Sequence, residues 1–141
     1  MHQLVYVSSA FRKPGHEDIA AILNASRCNN RRLGVSGMLL HIGGKFLQVL
    51  EGERSNVHEI FGQVLLDPRH EQIDILADER SFGRNFGQWS MAFLEPSRML
   101  APDVYDIARQ AMAGKVHPAN AANLPMLIKT FYRANTGEIA A

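Results

Sequence analysis

Lys45-Phe46-Leu47-Gln48-Val49-Leu50-Glu51-Gly52 reads as a buried strand with a polar amide at its centre. Side chains alternate between the two faces of a strand. Phe46, Gln48 and Leu50 therefore share one face, and Leu47 and Val49 the other. Gln48 stands in an apolar row. A buried amide without a partner costs roughly 1–3 kcal/mol, so Gln48 must be hydrogen-bonded. The amide is both donor and acceptor, and flipping it reverses that pattern. Gln48 is thus either a structural anchor or a switch. Taken alone, a satisfied core glutamine is the commoner case.

Immediately before this strand, Gly43-Gly44 marks a tight hairpin turn, and residues 35–42 supply the partner strand. An earlier strand is expected over residues 4–8, with Leu4, Tyr6 and Ser8 on one face and Val5 and Val7 on the other. Pro14-Gly15 is a break. Ile19, Ile22, Leu23 and Ser26 then recur at helical spacing, and Asn29-Asn30-Arg31-Arg32 ends that helix. Ser55 is the expected N-cap of a second helix, with Val57, Ile60, Phe61, Val64 and Leu65 as its apolar stripe. Asp67-Pro68 stops it. Strands over 73–77 and 88–94 complete the order βαββαββ.

The first six elements fit the split βαβ, ferredoxin-like pattern. The expected fold is α/β (α+β): a five-stranded mixed sheet with two helices on one face. Strands one and three are central neighbours in that pattern, which sets Tyr6 beside Gln48; both are expected to point toward the helices, a direction that strand parity alone does not fix. Residues 1–95 form this core. Beyond it, Val104, Ile107, Ala108, Ala111 and Met112, then Leu124, Leu127, Ile128 and Phe131, suggest two more amphipathic helices. Residues 96–141 are too few for a domain. These helices are expected to cover the other sheet face, where a partner or second copy would also dock.

A chain of 141 residues, 46% hydrophobic, suits one compact domain. Net charge is +1 and the basic residues are scattered apart from Arg31-Arg32, which argues against nucleic acid or an anionic membrane surface. The single Cys28 makes no intrachain disulfide, so a cytoplasmic location is expected. No signal pattern or membrane-spanning run is visible. The six histidines are spread singly, and no metal set is expected from their spacing. Gly34-Val35-Ser36-Gly37 lacks the strand-before, helix-after setting of a nucleotide loop. No serine sits in a nucleophile elbow.

What remains is a polar set spread over several elements: Tyr6, Asn29, Asn30, Gln48, Asp67, Arg69 and His70, with Trp89 and Met91 on the last strand. Each has a plain structural reading. The asparagines could be helix C-caps, Asp67-Pro68-Arg69-His70 a polar turn, and Trp89 and Met91 core.

Taken together they resemble a known family. Ser26-Arg27-Cys28-Asn29-Asn30, Gly34-Val35-Ser36-Gly37-Met38-Leu39-Leu40 and Gly44-Lys45-Phe46-Leu47-Gln48-Val49-Leu50-Glu51-Gly52 follow in order. Tyr6 precedes them; Asp67-Pro68-Arg69-His70 and Trp89-Ser90-Met91 follow. This series is similar to the BLUF domain, the sensors of blue light using FAD, over residues 2 to 95. Ser36 stands where threonine is common in the family, and Ala92 where glycine is common.

The resemblance implies a flavin ring between the two helices, lined by Ile22, Leu23, Ser26 and the second-helix stripe. It implies Asn30 near the ring O4 side, Asn29 near N3 and O2, and Arg27, Asp67, Arg69 and His70 toward the ribityl and phosphate groups. It implies a photoreceptor and not an enzyme. Tyr6 gives up an electron and a proton that passes through Gln48, and Gln48 ends rotated or tautomerised, donating to O4. The flavin returns to its oxidised state with a small red shift. Trp89 and Met91 would carry the signal toward the C-terminal helices. With no output enzyme between residue 96 and residue 141, a homo-oligomer is expected. So is a separate output protein, of response-regulator or cyclic-di-GMP phosphodiesterase type.

Two other readings compete. Acylphosphatases share the ferredoxin-like fold, and Arg12, Lys13 and Gly15 faintly suggest an anion loop. A light-insensitive flavin-binding or interaction module is the other.

Overall fold

The computed structural model describes residues 1–10, 15–81, 83–84, 86–87, 90–94 and 131. The expected C-terminal helices, apart from Phe131, lie outside these residues, as do Trp89, Arg12 and Lys13. The elements are β1 (His2–Ala10), α1 (His16–Leu33), β2 (Ser36–Ile42), β3 (Lys45–Gly52), α2 (Arg54–Leu65), β4 (His70–Arg80) and β5 (Ala92–Leu94). They form a five-stranded sheet in the order β4-β1-β3-β2-β5. Neighbours are antiparallel except β2 and β5, which run parallel. This is the mixed sheet and split βαβ arrangement the sequence suggests.

Why β2 and β3 pair in this register is local. Gly43 and Gly44 both take positive φ, 56° and 83°, the left-handed pair that a two-residue hairpin of the right twist requires. The register then sets Leu39 opposite Gln48, and β1 sets Tyr6 opposite Gln48 on the other side. Leu4, Tyr6, Leu39, Phe46 and Leu50 pack against Ile19, Ile22 and Leu23 of α1 and Val57, Ile60 and Phe61 of α2. One apolar core therefore fills the space between the sheet and the two helices, and Gln48 shares that face.

Several boundaries differ from expectation; β1, for one, runs from His2 to Ala10 and not only over residues 4–8. Val57 N–H closes on the Glu53 carbonyl at 2.9 Å, so α2 starts one turn before Val57 and its N-cap is Glu53. Ser55 lies inside the first turn and is not the cap. Leu65 does not continue the buried stripe: it is exposed at the helix end. At the end of α1, Gly34 adopts φ 65° and Val35 N–H closes on the Asn30 carbonyl at 2.8 Å. Gly34 is thus the left-handed cap. Asn29 and Asn30 belong to the last helical turn, and their side chains are not spent on capping. Finally, β4 is longer than residues 73–77 and β5 shorter than 88–94. Ser90 and Met91 form a bend before β5. β4 is an edge strand whose pairing with β1 shifts register between Val5 and Tyr6 and again between Val7 and Ser9, as edge strands often do.

Candidate functional site

A cleft of about 200 Å³ opens between α1 and α2 above the sheet. Its floor is Tyr6 and Gln48. Ile22, Ala25, Ser26 and Asn29 of α1 form one wall, and Ile60, Gln63 and Val64 of α2 the other, with Asp67 and Arg69 at one end. The walls are mostly apolar and the polar groups are few, the mixture expected of a small-molecule site.

The floor is a hydrogen-bonded chain. The Tyr6 hydroxyl donates to Gln48 Oε1, and Gln48 Nε2 donates to Met91 Sδ at 3.6 Å. Tyr6 is fully buried and Gln48 and Met91 nearly so. A thioether is a weak acceptor, so the amide is held firmly at its oxygen and loosely at its nitrogen. The Tyr6 ring is tilted against Phe61 at 5.3 Å between centroids, which fixes the phenol's direction.

Burial pushes the Tyr6 phenol well above the usual tyrosine range, and the negative charge of Asp67 adds to it. Unfolded tyrosines ionise near pH ~10, while buried Tyr6 keeps its proton. Its contribution to stability is therefore intact below that pH and lost as the pH rises above it, at about 1.4 kcal/mol per pH unit. We expect the alkaline loss of stability to be shallower in Tyr6→Phe. Urea unfolding at about pH 9 and about pH 11 measures it.

Two side chains of α1 hold the bend before β5. Asn30 Nδ2 donates to the Ser90 carbonyl at 2.6 Å, and Arg27 Nε donates to the Met91 carbonyl at 3.1 Å. Together they seat Met91 sulfur against Gln48. Asn30 is completely buried, yet its Oδ1 has no partner. At the cleft's end, Asp67 and Arg69 form a two-point ion pair, with Nε to Oδ1 at 2.9 Å and Nη2 to Oδ2 at 2.8 Å.

Of the residues singled out from sequence, Tyr6, Ile22, Ser26, Asn29, Gln48, Asp67 and Arg69 line this one cleft. Leu23 packs in the core beneath it. Arg27 and Asn30 turn to the backbone of residues 90 and 91. His70 begins β4, and its side chain lies outside the described part. Ala25 and Gln63 were not anticipated. Gln63 had a signal: it stands three residues after Ile60, a polar side chain on the apolar helix face.

A sandwich of this topology, with a cleft over a buried Tyr–Gln pair, is a frame suited to holding a small molecule. The family model for sensors of blue-light using FAD matches residues 1–92, and the chain belongs to that BLUF family. Over 137 residues it is 30% identical to the photoactivated adenylate cyclase subunit alpha of Euglena gracilis, covering 92% of this chain and 13% of that protein. The chain therefore spans only a small part of such relatives. The dark-state structure of BlrB, a BLUF protein, superposes with a TM-score of 0.68 at 33% identity, covering 94% of this chain and 96% of that one. Klebsiella pneumoniae BlrP1, solved with FMN and cyclic diGMP, gives a TM-score of 0.73 at 26% identity, covering 96% of this chain and 35% of that one.

Proposed function

We propose that this chain is a blue-light photoreceptor that takes FAD in the cleft between α1 and α2 and signals by a Tyr6–Gln48 hydrogen-bond switch. The observation that carries the reading is the fully buried chain from Tyr6 through Gln48 to Met91 on the floor of a ring-sized cleft.

The residues fit the cofactor. A flat ring suits apolar walls, and its imide edge needs both donors and acceptors. The buried, unpartnered Asn30 Oδ1 is an acceptor awaiting a donor such as the imide N–H. Its own Nδ2 is committed to Ser90, so this pairing suits it better than donation to O4. Asn29, on the α1 wall of the cleft, offers both roles. The Asp67–Arg69 pair marks the end where the ribityl tail would leave, with His70 beside it in sequence. When bound, flavin supplies a blue-light-driven electron acceptor.

Tyr6 supplies the electron and the proton. Its raised pKa keeps that proton in place in the dark. Gln48 then turns. Turning exchanges its oxygen and nitrogen, and because a phenol both donates and accepts, Tyr6 remains bonded in either orientation. Only the weak contact with Met91 sulfur is forfeited. The amide is therefore bistable, and in the turned state it offers a donor to O4. Trp89 and Met91 are the proposed exit of the signal. Met91 is tied by its carbonyl to Arg27, so a turn of Gln48 is felt in the backbone before β5.

Output is proposed to pass to a second copy of this chain or to a separate effector protein, with no catalysis by this chain itself. Adenylate cyclase is the named activity of the Euglena relative. Among the described residues no helix is long and apolar enough to cross a membrane.

The test is the visible absorption of the purified chain with FAD, dark and under blue light. A flavin band that shifts slightly to the red and recovers in the dark is expected. Bound flavin without a reversible shift would leave a light-insensitive module. A colourless protein that takes up no FAD would end the reading.

A further inference from the structure

We infer that His2, His58 and Asp78 form a binding site for one transition-metal ion of the zinc class, on the rim of the fold away from the flavin cleft. The three side chains come from three elements: the first residue of β1, the second turn of α2 and the distal half of β4. Their ligand atoms all lie within 4.8 Å of one another. His58 Nε2 is 2.9 Å from Asp78 Oδ1, and His2 Nε2 meets the same oxygen. The two imidazole rings are 5.5 Å apart and tilted by 58°. They are therefore not stacked, and both Nε2 atoms face the same carboxylate oxygen, Asp78 Oδ1.

Three ligand atoms this close together, from side chains on three different elements, can share one ion. Two imidazole nitrogens and one carboxylate oxygen, with room for water in a fourth position, is a donor set that suits Zn²⁺. Calcium and magnesium want oxygen ligands, so this set selects against them. His2 is buried, which fixes one ligand. The side chains of His58 and Asp78 are 39% and 31% exposed, which gives an ion a way in. Without metal, Asp78 Oδ1 is the shared partner of both Nε2 atoms; with metal, each imidazole would carry its ring proton on Nδ1 and present the Nε2 lone pair to the ion beside the carboxylate oxygen.

The position gives the ion a consequence. It would tie α2, one wall of the cleft, to the two strands beneath it. His58 is two residues before Ile60, a cleft-lining residue, and His2 is four residues before Tyr6 on the same strand face. Binding is expected to raise the melting temperature by mass action.

The experiment is calorimetric titration of the untagged full chain with ZnCl₂, with MgCl₂ as comparison. One Zn²⁺ per chain is expected, with no Mg²⁺ uptake. Loss of one ligand, in His58→Ala or Asp78→Asn, should weaken binding by at least about tenfold, since even outer partners of a metal site cost that much. The Zn²⁺-dependent rise in melting temperature should vanish with it. His58 is exposed enough that its variant will fold, so the test stands if Asp78→Asn does not. No Zn²⁺ uptake by the wild type would overturn the site. Undiminished affinity in His58→Ala would also overturn it, because the ion would then be held elsewhere.

Discussion

Tyr6→Phe is expected to abolish the light-induced red shift while leaving the chain folded and flavin bound. The ring is retained, so its contact with Phe61 and its place in the core survive. What is lost is the hydroxyl that donates to Gln48 Oε1 and that supplies the transferable proton. Leaving Gln48 Oε1 unpartnered costs about 1–3 kcal/mol, enough to lower the melting temperature but not to unfold a domain. The photochemical effect, in contrast, is all or none. Gln48→Ala should give the same silence by a different route: the phenol keeps its proton, but nothing carries it or turns. Light-minus-dark spectra of the two variants measure this. A shift of wild-type size in Tyr6→Phe would mean that the phenol is not the donor.

Gly37→Ala carries the largest expected effect on folding. A Cβ at this position would stand 1.9 Å from the Val49 carbonyl oxygen and 3.0 Å from its carbon. Both are backbone atoms of β3, so no side chain can swing aside. The sheet must part, or β2 must slide against β3. Overpacking in a core typically costs 1–3 kcal/mol and occasionally more. A clash with paired backbone belongs at the upper end, about 3 kcal/mol or beyond. That corresponds to a melting temperature lower by roughly 10 °C for a chain of this size. Flavin retention should fall too, because Leu39 and Gln48 are set by the same ladder. A melting point within about 2 °C of wild type would show that β2 and β3 have slack this geometry does not suggest.

Much of the floor of the site was legible because it depends on parity. Alternation along β3 puts Gln48 in an apolar row, and the split βαβ order brings Tyr6 to it; the observed register has the two directly opposed. The apolar spacing of Ile22, Ile60 and Val64 likewise predicts the cleft walls. Contacts made by distant chain segments were not legible. Nothing near Asn30 announces that its amide will donate to Ser90, 60 residues away, or that Arg27 will seat Met91. His2, His58 and Asp78 are separated by up to 76 residues, so spacing rules for metal ligands, which detect only local pairs, pass over them. Two helix ends were misread for different reasons: Gly34 overrides the asparagines as the cap of α1, while α2 begins directly after β3 ends at Gly52, ahead of Ser55, although Ser55 is the better capping residue. The rule that a buried amide finds a partner holds at Gln48 and fails at Gln3, which is fully buried with neither amide atom bonded.

The central claim is that illumination leaves the flavin oxidised but more strongly hydrogen-bonded at O4 by a turned Gln48. Light-minus-dark infrared spectroscopy of the wild-type chain with FAD measures it directly. A stronger bond to O4 weakens that carbonyl, so its stretch should move to lower frequency, reverse in the dark, and be absent in Gln48→Ala. An unchanged carbonyl band beneath a genuine visible red shift, or a shift that persists in Gln48→Ala, would contradict the switch.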